Sequence, residues 1–215
     1  MLCIAPGRVG LSRERDRRGE LAGSGFPGES AGLLTHYSRW KEINQATLAY
    51  GYGVSVTPLQ LAQAYGAIGN DGIMRPVSLV AVDQAAASQR VMSLENAQAL
   101  RHMMEEVIRP GGTGTKAALH GYRVAGKTGT AWKSSAGGYS ENQYLSIFAG
   151  IVPASAPRLA AVVVIDEPSG DLYYGSDVAA PVFAEVMADS LRLLAVAPDA
   201  LAAKEAGSYM QAMRK

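Results

Sequence analysis

Residues 127–130, Lys-Thr-Gly-Thr, constrain the fold of this chain more than any other segment, because two unrelated patterns include them. Counted from Gly121, they complete Gly-x-x-x-x-Gly-Lys-Thr, the pattern of a phosphate-binding loop that opens into a helix. Taken as Lys-Thr-Gly followed by a hydroxyl residue, they fit an edge strand that a substrate can approach closely at the glycine. The flanking residues decide between a helix and a strand.

The residues after Thr128 favour the strand. A phosphate loop depends on the amides and the positive end of the helix that begins at its Lys-Ser/Thr pair. Residues 129–140 read Gly-Thr-Ala-Trp-Lys-Ser-Ser-Ala-Gly-Gly-Tyr-Ser, which is too rich in glycine and serine for a stable helix. The apolar run 159–167 ends in acidic residues like a magnesium-binding strand, but no crossover helix precedes it, as a parallel sheet requires. Nucleotide binding by a P-loop is therefore kept only as the alternative function.

Capping residues and apolar periodicity predict helices on both sides of the sheet. Thr57 is a good N-cap, and the helix that follows ends at the turn 69–72. A second helix begins at Ser93 and is closed by 110–112, and a last one starts near Pro181.

Three strands are predicted, at about 122–130, 144–152 and 159–166. The short link 153–157 suits an antiparallel hairpin and not a helical crossover. We therefore predict an α+β fold in which an antiparallel sheet is flanked by helices.

Charge and composition exclude several function classes. The formal net charge of +1 argues against a nucleic-acid partner, which usually meets a concentrated basic face. The three histidines and the single cysteine show no metal-ligand spacing, so no metal and no cofactor are predicted.

Residues 1–22 are arginine-rich without apolar periodicity, and we predict a disordered or non-native basic leader there. Residues 23–199 form the folded part, and 200–215 a tail.

A series of short blocks resembles one family, in that family's order. Residues 23–199 resemble the C-terminal part of the transpeptidase domain of class B penicillin-binding proteins, especially the division-specific (FtsI-type) members. The blocks are Gly25-Phe-Pro-Gly-Glu29, Ala46-Thr-Leu-Ala-Tyr-Gly-Tyr-Gly53, Ala125-Gly-Lys-Thr-Gly-Thr-Ala131, Gly138-Tyr-Ser-Glu-Asn142, Phe148-Ala-Gly150, Val162-Val-Val-Ile-Asp-Glu-Pro168, Tyr173-Tyr-Gly175 and Ala180-Pro-Val-Phe183. The resemblance implies a penicillin-binding protein/serine β-lactamase-like fold whose N-terminal part is missing.

The resemblance also implies a D,D-transpeptidase that cross-links peptidoglycan stem peptides ending in D-Ala-D-Ala, is acylated by β-lactams and works with division proteins. Lys127 would be the catalytic residue, since its ammonium sets positive potential beside the nucleophile and the substrate carboxylate. Thr128, Gly129 and Thr130 would bind the substrate. The two threonine hydroxyls would donate hydrogen bonds to its carboxylate, Gly129 has no side chain to keep the peptide from the backbone, and the Thr130 amide would form part of the oxyanion hole. Tyr174 resembles the aromatic residue that flanks the pocket.

The family's nucleophile motif, Ser-x-x-Lys, and its Ser-x-Asn motif are expected N-terminal to Gly23, where this sequence lacks them. Ser38-Arg-Trp-Lys41 and Ser140-Glu-Asn142 match these patterns, but neither stands at the family's position. We therefore expect the 215 residues alone to be marginally stable and inactive.

The family acts on the periplasmic side of the bacterial inner membrane, and we find neither a signal peptide nor a membrane anchor in this sequence. A noncatalytic domain that acts only through partner contacts is a second alternative.

Overall fold

The computed structural model of the chain describes residues 21–84, 87–135 and 138–200, including their side chains except within 134–142. In chain order the elements are β1 (Leu33–Leu34), α1 (Glu42–Ala49), β2 (Val54–Ser55), α2 (Pro58–Gly69), β3 (Ile73–Met74), β4 (Gln89–Arg90), α3 (Leu94–Glu105), β5 (Ala125–Ser135), β6 (Gly138–Val152), β7 (Leu159–Asp166) and α4 (Gly175–Leu193). Short 3-10 turns occupy Tyr37–Arg39, Glu106–Ile108 and Thr115–Ala117. The α+β prediction is confirmed.

The main sheet is antiparallel, with the strand order β5-β6-β7. Its two connections are the hairpin between β5 and β6 and the short link 153–158, one residue longer than predicted, which joins β6 to β7. Lys127 lies inside β5, directly opposite Ala149 of β6. The phosphate-loop interpretation is therefore wrong, because no helix begins at Lys127 and its backbone is committed to a strand.

The hairpin is longer than the sequence predicts. Strand β5 continues to Ser135 and β6 already begins at Gly138, with an irregularity of the register between Trp132 and Ser134. The strands predicted at about 122–130 and 144–152 leave out residues 131–143, which are rich in glycine and serine. Pairing between the two strands extends both of them into this segment despite its low intrinsic strand preference.

Helices α2 and α3 follow the predicted capping signals. The Thr57 hydroxyl accepts a hydrogen bond from the Gln60 amide at 3.1 Å, and the Gln60 side chain returns to the Thr57 amide at 2.7 Å. This reciprocal pair is a capping box, with Pro58 in the first turn. The Ser93 hydroxyl caps α3 in the same way, accepting from the Asn96 amide at 3.2 Å.

Helix α4 starts earlier than predicted. Its first residue is Gly175, and Pro181 lies inside the helix. The prediction used Pro181 as the first-turn signal, but the structure places it in the second turn, where a proline removes one intrahelical hydrogen bond and crowds the carbonyl four residues earlier. The real start is set by contacts of Gly175 with the sheet, which the local sequence does not reveal.

Two hydrophobic cores cover the two faces of the sheet. One joins α4 to the sheet through Phe148, Phe183 and Leu191, all of which are fully buried. The other joins α2 and α3 to the opposite face. Tyr65 of α2 and Met104 of α3 belong to it, together with strand residues that include Ala125, Ala149 and Ile151. The sheet is therefore a middle layer between helices.

The predicted leader and tail lie largely outside the described residues. At their borders, the amide of Ala22 donates to the Glu29 carboxylate at 2.7 Å, and the amide of Ala200 donates to the Gly121 carbonyl at 3.0 Å. Within the described part of the chain, no helix combines the length and the hydropathy that crossing a bilayer requires.

Candidate functional site

Strand β5 presents the Lys-Thr-Gly-Thr segment at one edge of the main sheet. Lys127 pairs with Ala149, which belongs to the core under α2 and α3, whereas Thr128 pairs with Phe148 of the α4 core. Because side chains alternate along a strand, Lys127 and Gly129 face the α2–α3 side and the two threonines face α4. Among the described strands, β5 pairs only with β6, so its other edge is open.

The Lys127 ammonium carries a charge that no acidic group of the described residues neutralises. The side chain is exposed, and its Nζ donates to the carbonyl oxygen of Thr128 at 2.7 Å. A carbonyl oxygen contributes no formal charge, so the positive potential at this edge remains available to an anionic ligand.

The two threonine hydroxyls make contacts that sequence analysis missed. The Thr128 Oγ1 lies 2.8 Å from the Thr113 Oγ1, and the Thr130 Oγ1 accepts a hydrogen bond from the Gly175 amide at 3.1 Å. Thr113 and Gly175 are 15 and 45 residues away in sequence, and only the folded chain brings them to β5. Each hydroxyl still has a proton or a lone pair that a ligand can use.

The N-terminus of α4 is packed closely against the sheet. A side chain at Gly175 would meet the backbone carbonyl oxygens of Ile147 and Gly129, so only glycine fits there. Next to it, the Ser146 hydroxyl donates to the carbonyl oxygen of Tyr173. These contacts hold the loop before α4 beside the Lys-Thr-Gly segment.

Three tyrosines form an aromatic cluster beside this loop. Tyr144 of β6 stacks on Tyr173 with ring centroids 4.1 Å apart, and Tyr173 contacts Tyr174 at 4.5 Å. The hydroxyl of Tyr173 donates to that of Tyr174 at 3.2 Å, and this contact raises the pKa of Tyr173 to about 12. Tyr173 therefore stays protonated at neutral pH. Tyr174 is 53% exposed, so one of its faces is open to solvent.

Two segments match the family's missing Ser-x-x-Lys and Ser-x-Asn motifs in sequence, and the structure shows the backbone of both. Ser38 lies in a 3-10 turn, where its hydroxyl contacts the His36 ring at 2.7 Å, and Lys41 caps α1 after an extended residue. Ser-x-x-Lys needs one continuous helix to bring both side chains to one face, so this pair does not qualify. Residues 140–142 lie in β6 and not in a linker as expected, and their side chains are outside the described set.

No group of three histidine, cysteine, aspartate or glutamate side chains suited to a metal ion occurs in the residues that the structure describes. In the first turn of α4, Asp177 forms an ion pair with Lys116, with Oδ1 and Nζ 2.7 Å apart. The hydrogen bond from Lys116 lowers the pKa of Asp177, which is therefore ionised at neutral pH.

Replacing Thr130 by valine should destabilise the chain by about 1–3 kcal/mol, because the partly buried Gly175 amide loses its acceptor. Urea denaturation at one fixed protein concentration measures the loss. Thr130→Ser keeps the hydroxyl and should stay within about 1 kcal/mol of the unmodified chain. Equal stability of the valine and serine variants would contradict a capping role for Thr130.

Comparisons with known proteins agree with this geometry. Residues 17–188 match the sequence model of the penicillin-binding protein transpeptidase domain. The peptidoglycan D,D-transpeptidase FtsI of Escherichia coli is 45% identical over 192 residues, covering 89% of this chain and 33% of that protein. The probable peptidoglycan D,D-transpeptidase PenA of Neisseria meningitidis is 45% identical over 175 residues, covering 81% and 30%.

A solved structure gives the same picture. The apo transpeptidase domain of Burkholderia pseudomallei penicillin-binding protein 3 superposes with a TM-score of 0.78 at 42% sequence identity. The match covers 85% of this chain and 56% of the solved chain. The chain thus spans about a third of the two curated relatives, 33% and 30% of their lengths. The matched residues, the fold and the identity together place this chain in the penicillin-binding protein transpeptidase domain family.

Proposed function

We propose that this chain supplies the Lys-Thr-Gly wall of a peptidoglycan D,D-transpeptidase that acts in septal cross-linking on the periplasmic side of the inner membrane. One observation carries the proposal: the open edge of β5 presents Lys127, with no carboxylate partner among the described residues, in a chain whose match to the transpeptidase domain spans residues 17–188. An ammonium at an open strand edge suits an extended peptide that ends in a carboxylate.

Each residue of the segment has a role in this proposal. Lys127 attracts the substrate carboxylate, and the Thr128 hydroxyl donates a hydrogen bond to it. Gly129 lets the peptide approach the backbone, and the Thr130 amide stabilises the oxyanion that develops on the scissile carbonyl. Tyr174 lies beyond the N-terminus of α4, which Thr130 holds, and its open face lines the pocket.

The reaction is an acyl transfer. A serine hydroxyl attacks the carbonyl of the D-Ala-D-Ala bond, its proton passes to the leaving D-alanine amine, and an acyl-enzyme remains. The amine of a second stem peptide then attacks the ester, restoring the serine and forming the cross-link. A β-lactam follows the first half of the sequence, and its opened ring stays attached.

We also propose that the 215 residues do not perform this chemistry alone. Ser38-Arg-Trp-Lys41 is the only Ser-x-x-Lys in the sequence, and it does not lie on one helix. The nucleophile of the proposed reaction therefore comes from residues with no counterpart in the described chain.

A chimera tests the proposal. The part of the E. coli relative that aligns with residues 21–199 is replaced by these residues, and the product is treated with a fluorescent penicillin. We expect covalent labelling of the chimera and none of the isolated 215-residue chain. A chimera that melts cooperatively but stays unlabelled would refute the enzymatic function. If that unlabelled chimera still associated with division proteins, the chain would be assigned as a noncatalytic interaction domain instead.

The septal part of the proposal has its own readout. In E. coli cells depleted of the relative, the chimera is expected to collect at midcell and to restore septation. Labelling by penicillin without midcell enrichment would keep the transpeptidase function and reject the division role.

A further inference from the structure

Ser146 is a fully buried hydroxyl that the proposed reaction does not use. It lies in β6, directly opposite Thr130 of β5 on one side and Ile165 of β7 on the other. Among the described residues, only Ser146 and Arg101 are both buried and polar or charged. Residues that lie directly opposite each other share a face of a sheet, so Ser146 and Thr130 both face α4. The sheet thus presents two neighbouring hydroxyls to the loop that precedes this helix.

The two hydroxyls attach that loop on either side of Tyr174. Ser146 donates to the carbonyl oxygen of Tyr173, and Thr130 accepts a hydrogen bond from the Gly175 amide at 3.1 Å. The carbonyl oxygen of Tyr174 already accepts the first backbone hydrogen bonds of α4, whereas the Tyr173 carbonyl precedes the helix and receives a side-chain donor. The backbone is therefore fixed at both neighbours of Tyr174.

The ring of Tyr173 is held by the same strand as its carbonyl group. Tyr144 precedes Ser146 by two residues on β6, on the same face, and stacks on Tyr173 with ring centroids 4.1 Å apart. Tyr173 in turn contacts the ring of Tyr174 at 4.5 Å, and the two hydroxyls lie 3.2 Å apart. A shift of the Tyr173 carbonyl therefore moves the ring of Tyr174 as well.

We infer that Ser146 is a positioning residue for ligand selection: by holding the Tyr173 carbonyl it places the Tyr174 ring beside the substituent next to the ligand's reactive carbonyl. The inference rests on the proposed function, in which Tyr174 lines the pocket and the Thr130 amide binds the oxyanion. Ser146 touches no reacting atom, so its hydroxyl affects the binding of ligands with an apolar or aromatic substituent and not the chemical step.

Recognition of the ligand carboxylate should depend little on Ser146. The Lys127 ammonium and the Thr128 hydroxyl have contacts of their own, with the Thr128 carbonyl oxygen and with Thr113. Neither contact involves the loop before α4. The loss of the Ser146 hydroxyl is therefore expected to separate two properties of the site, selection of the substituent and attraction of the carboxylate.

Acylation kinetics of the penicillin-reactive chimera test this role with two matched ligands. Benzylpenicillin and aminopenicillanic acid share the ring system and the carboxylate, but only benzylpenicillin carries an aromatic acyl group. In Ser146→Ala, the concentration that gives half the limiting acylation rate should rise about five- to tenfold with benzylpenicillin and less than about twofold with aminopenicillanic acid. The limiting rate should change less than about threefold with either ligand.

Three further variants make the result specific. Ser146→Cys keeps a weak donor of similar size and should lie between the unmodified chimera and Ser146→Ala. Ser190 also donates to a backbone carbonyl, that of Val186 within α4, so Ser190→Ala is the matched control and should leave both ligands unaffected. In a Tyr174→Ala background, adding Ser146→Ala should have no further effect with benzylpenicillin, because both changes remove the same contact.

The full 215-residue chain gives a readout that needs no reaction. With ring-labelled tyrosine, NMR spectra of the unmodified chain should show nuclear Overhauser contacts between the rings of Tyr144 and Tyr173. Ser146→Ala should weaken these contacts while the other resonances keep their folded positions, and Ser190→Ala should not. Unchanged ring contacts in Ser146→Ala would mean that its hydroxyl does not position the loop.

Two kinetic results would also overturn the inference. Equal losses with the two penicillins would show that Ser146 does not act through the substituent. A smaller labelled fraction with an unchanged concentration dependence would show that the hydroxyl only supports folding. If no penicillin labels the unmodified chimera, the proposed function fails instead, and the ring contacts in the full chain still decide whether Ser146 positions Tyr173.

Discussion

Replacing Lys127 by alanine in the penicillin-reactive chimera is expected to lower the second-order rate of acylation by about 100- to 1,000-fold. That loss is about 3–4 kcal/mol of transition-state stabilisation, the scale seen when one preorganised electrostatic contact is removed. The reason is the position of the ammonium at the open edge of β5, where no described carboxylate neutralises it. Stopped-flow measurement of acylation by a fluorescent penicillin, over a series of concentrations, gives the rate constant.

The chain contains a matched control for this experiment. Lys133 lies on the same strand, six residues further along, but its Nζ contacts Asp166 at 2.8 Å and Glu167 at 2.5 Å. Its charge is therefore already satisfied, and Lys133→Ala should change the acylation rate less than about threefold. Lys127→Arg keeps the positive charge on a bulkier guanidinium group, and its acylation rate should lie between those of the unmodified and the Lys127→Ala chimeras. A Lys127→Ala chimera that acylates as fast as the Lys133→Ala chimera would remove Lys127 from the proposed mechanism.

The largest expected effect on stability comes from Phe148. Phe148→Ala should lower the free energy of unfolding by about 3–5 kcal/mol, as is usual when a fully buried aromatic ring is deleted. The ring packs against Phe183 with centroids 4.8 Å apart. It also fills the space left by Gly126 and Gly150, where any side chain would collide with aromatic rings. Urea denaturation followed by circular dichroism measures the change.

Two other variants calibrate this value. Phe26 is 64% exposed, so Phe26→Ala should change stability by less than about 0.5 kcal/mol. Phe148→Leu leaves a smaller cavity and should fall between the two, which keeps the test informative if Phe148→Ala does not fold. Because Phe148 is the direct neighbour of Thr128 in the sheet, the two Phe148 variants should also disturb the Lys-Thr-Gly segment, and Phe26→Ala should not. A Phe148→Ala chain as stable as Phe26→Ala would contradict the described core.

The comparison of β5 with α4 shows how far local sequence reaches. Strand β5 was predictable because glycines and serines after Lys127 exclude a helix, and α2 was predictable because Thr57 marks its N-cap and the turn 69–72 its end. The start of α4 was not predictable, because its first amide is held by Thr130, 45 residues earlier. The length of the β5–β6 hairpin was missed for a similar reason: a strand is stabilised by its partner and not by its own residues alone.

For the candidate site, the sequence by itself determined the chemical groups and their spacing along one strand: an ammonium, a hydroxyl, a bare backbone and a second hydroxyl in four consecutive residues. These are local properties, since alternation along a strand follows from backbone geometry alone. Only the tertiary structure decided which groups stand beside that strand. Thr113, Gly175 and the stacked tyrosines reach it through contacts between distant segments, and such contacts depend on packing that no single stretch of sequence encodes.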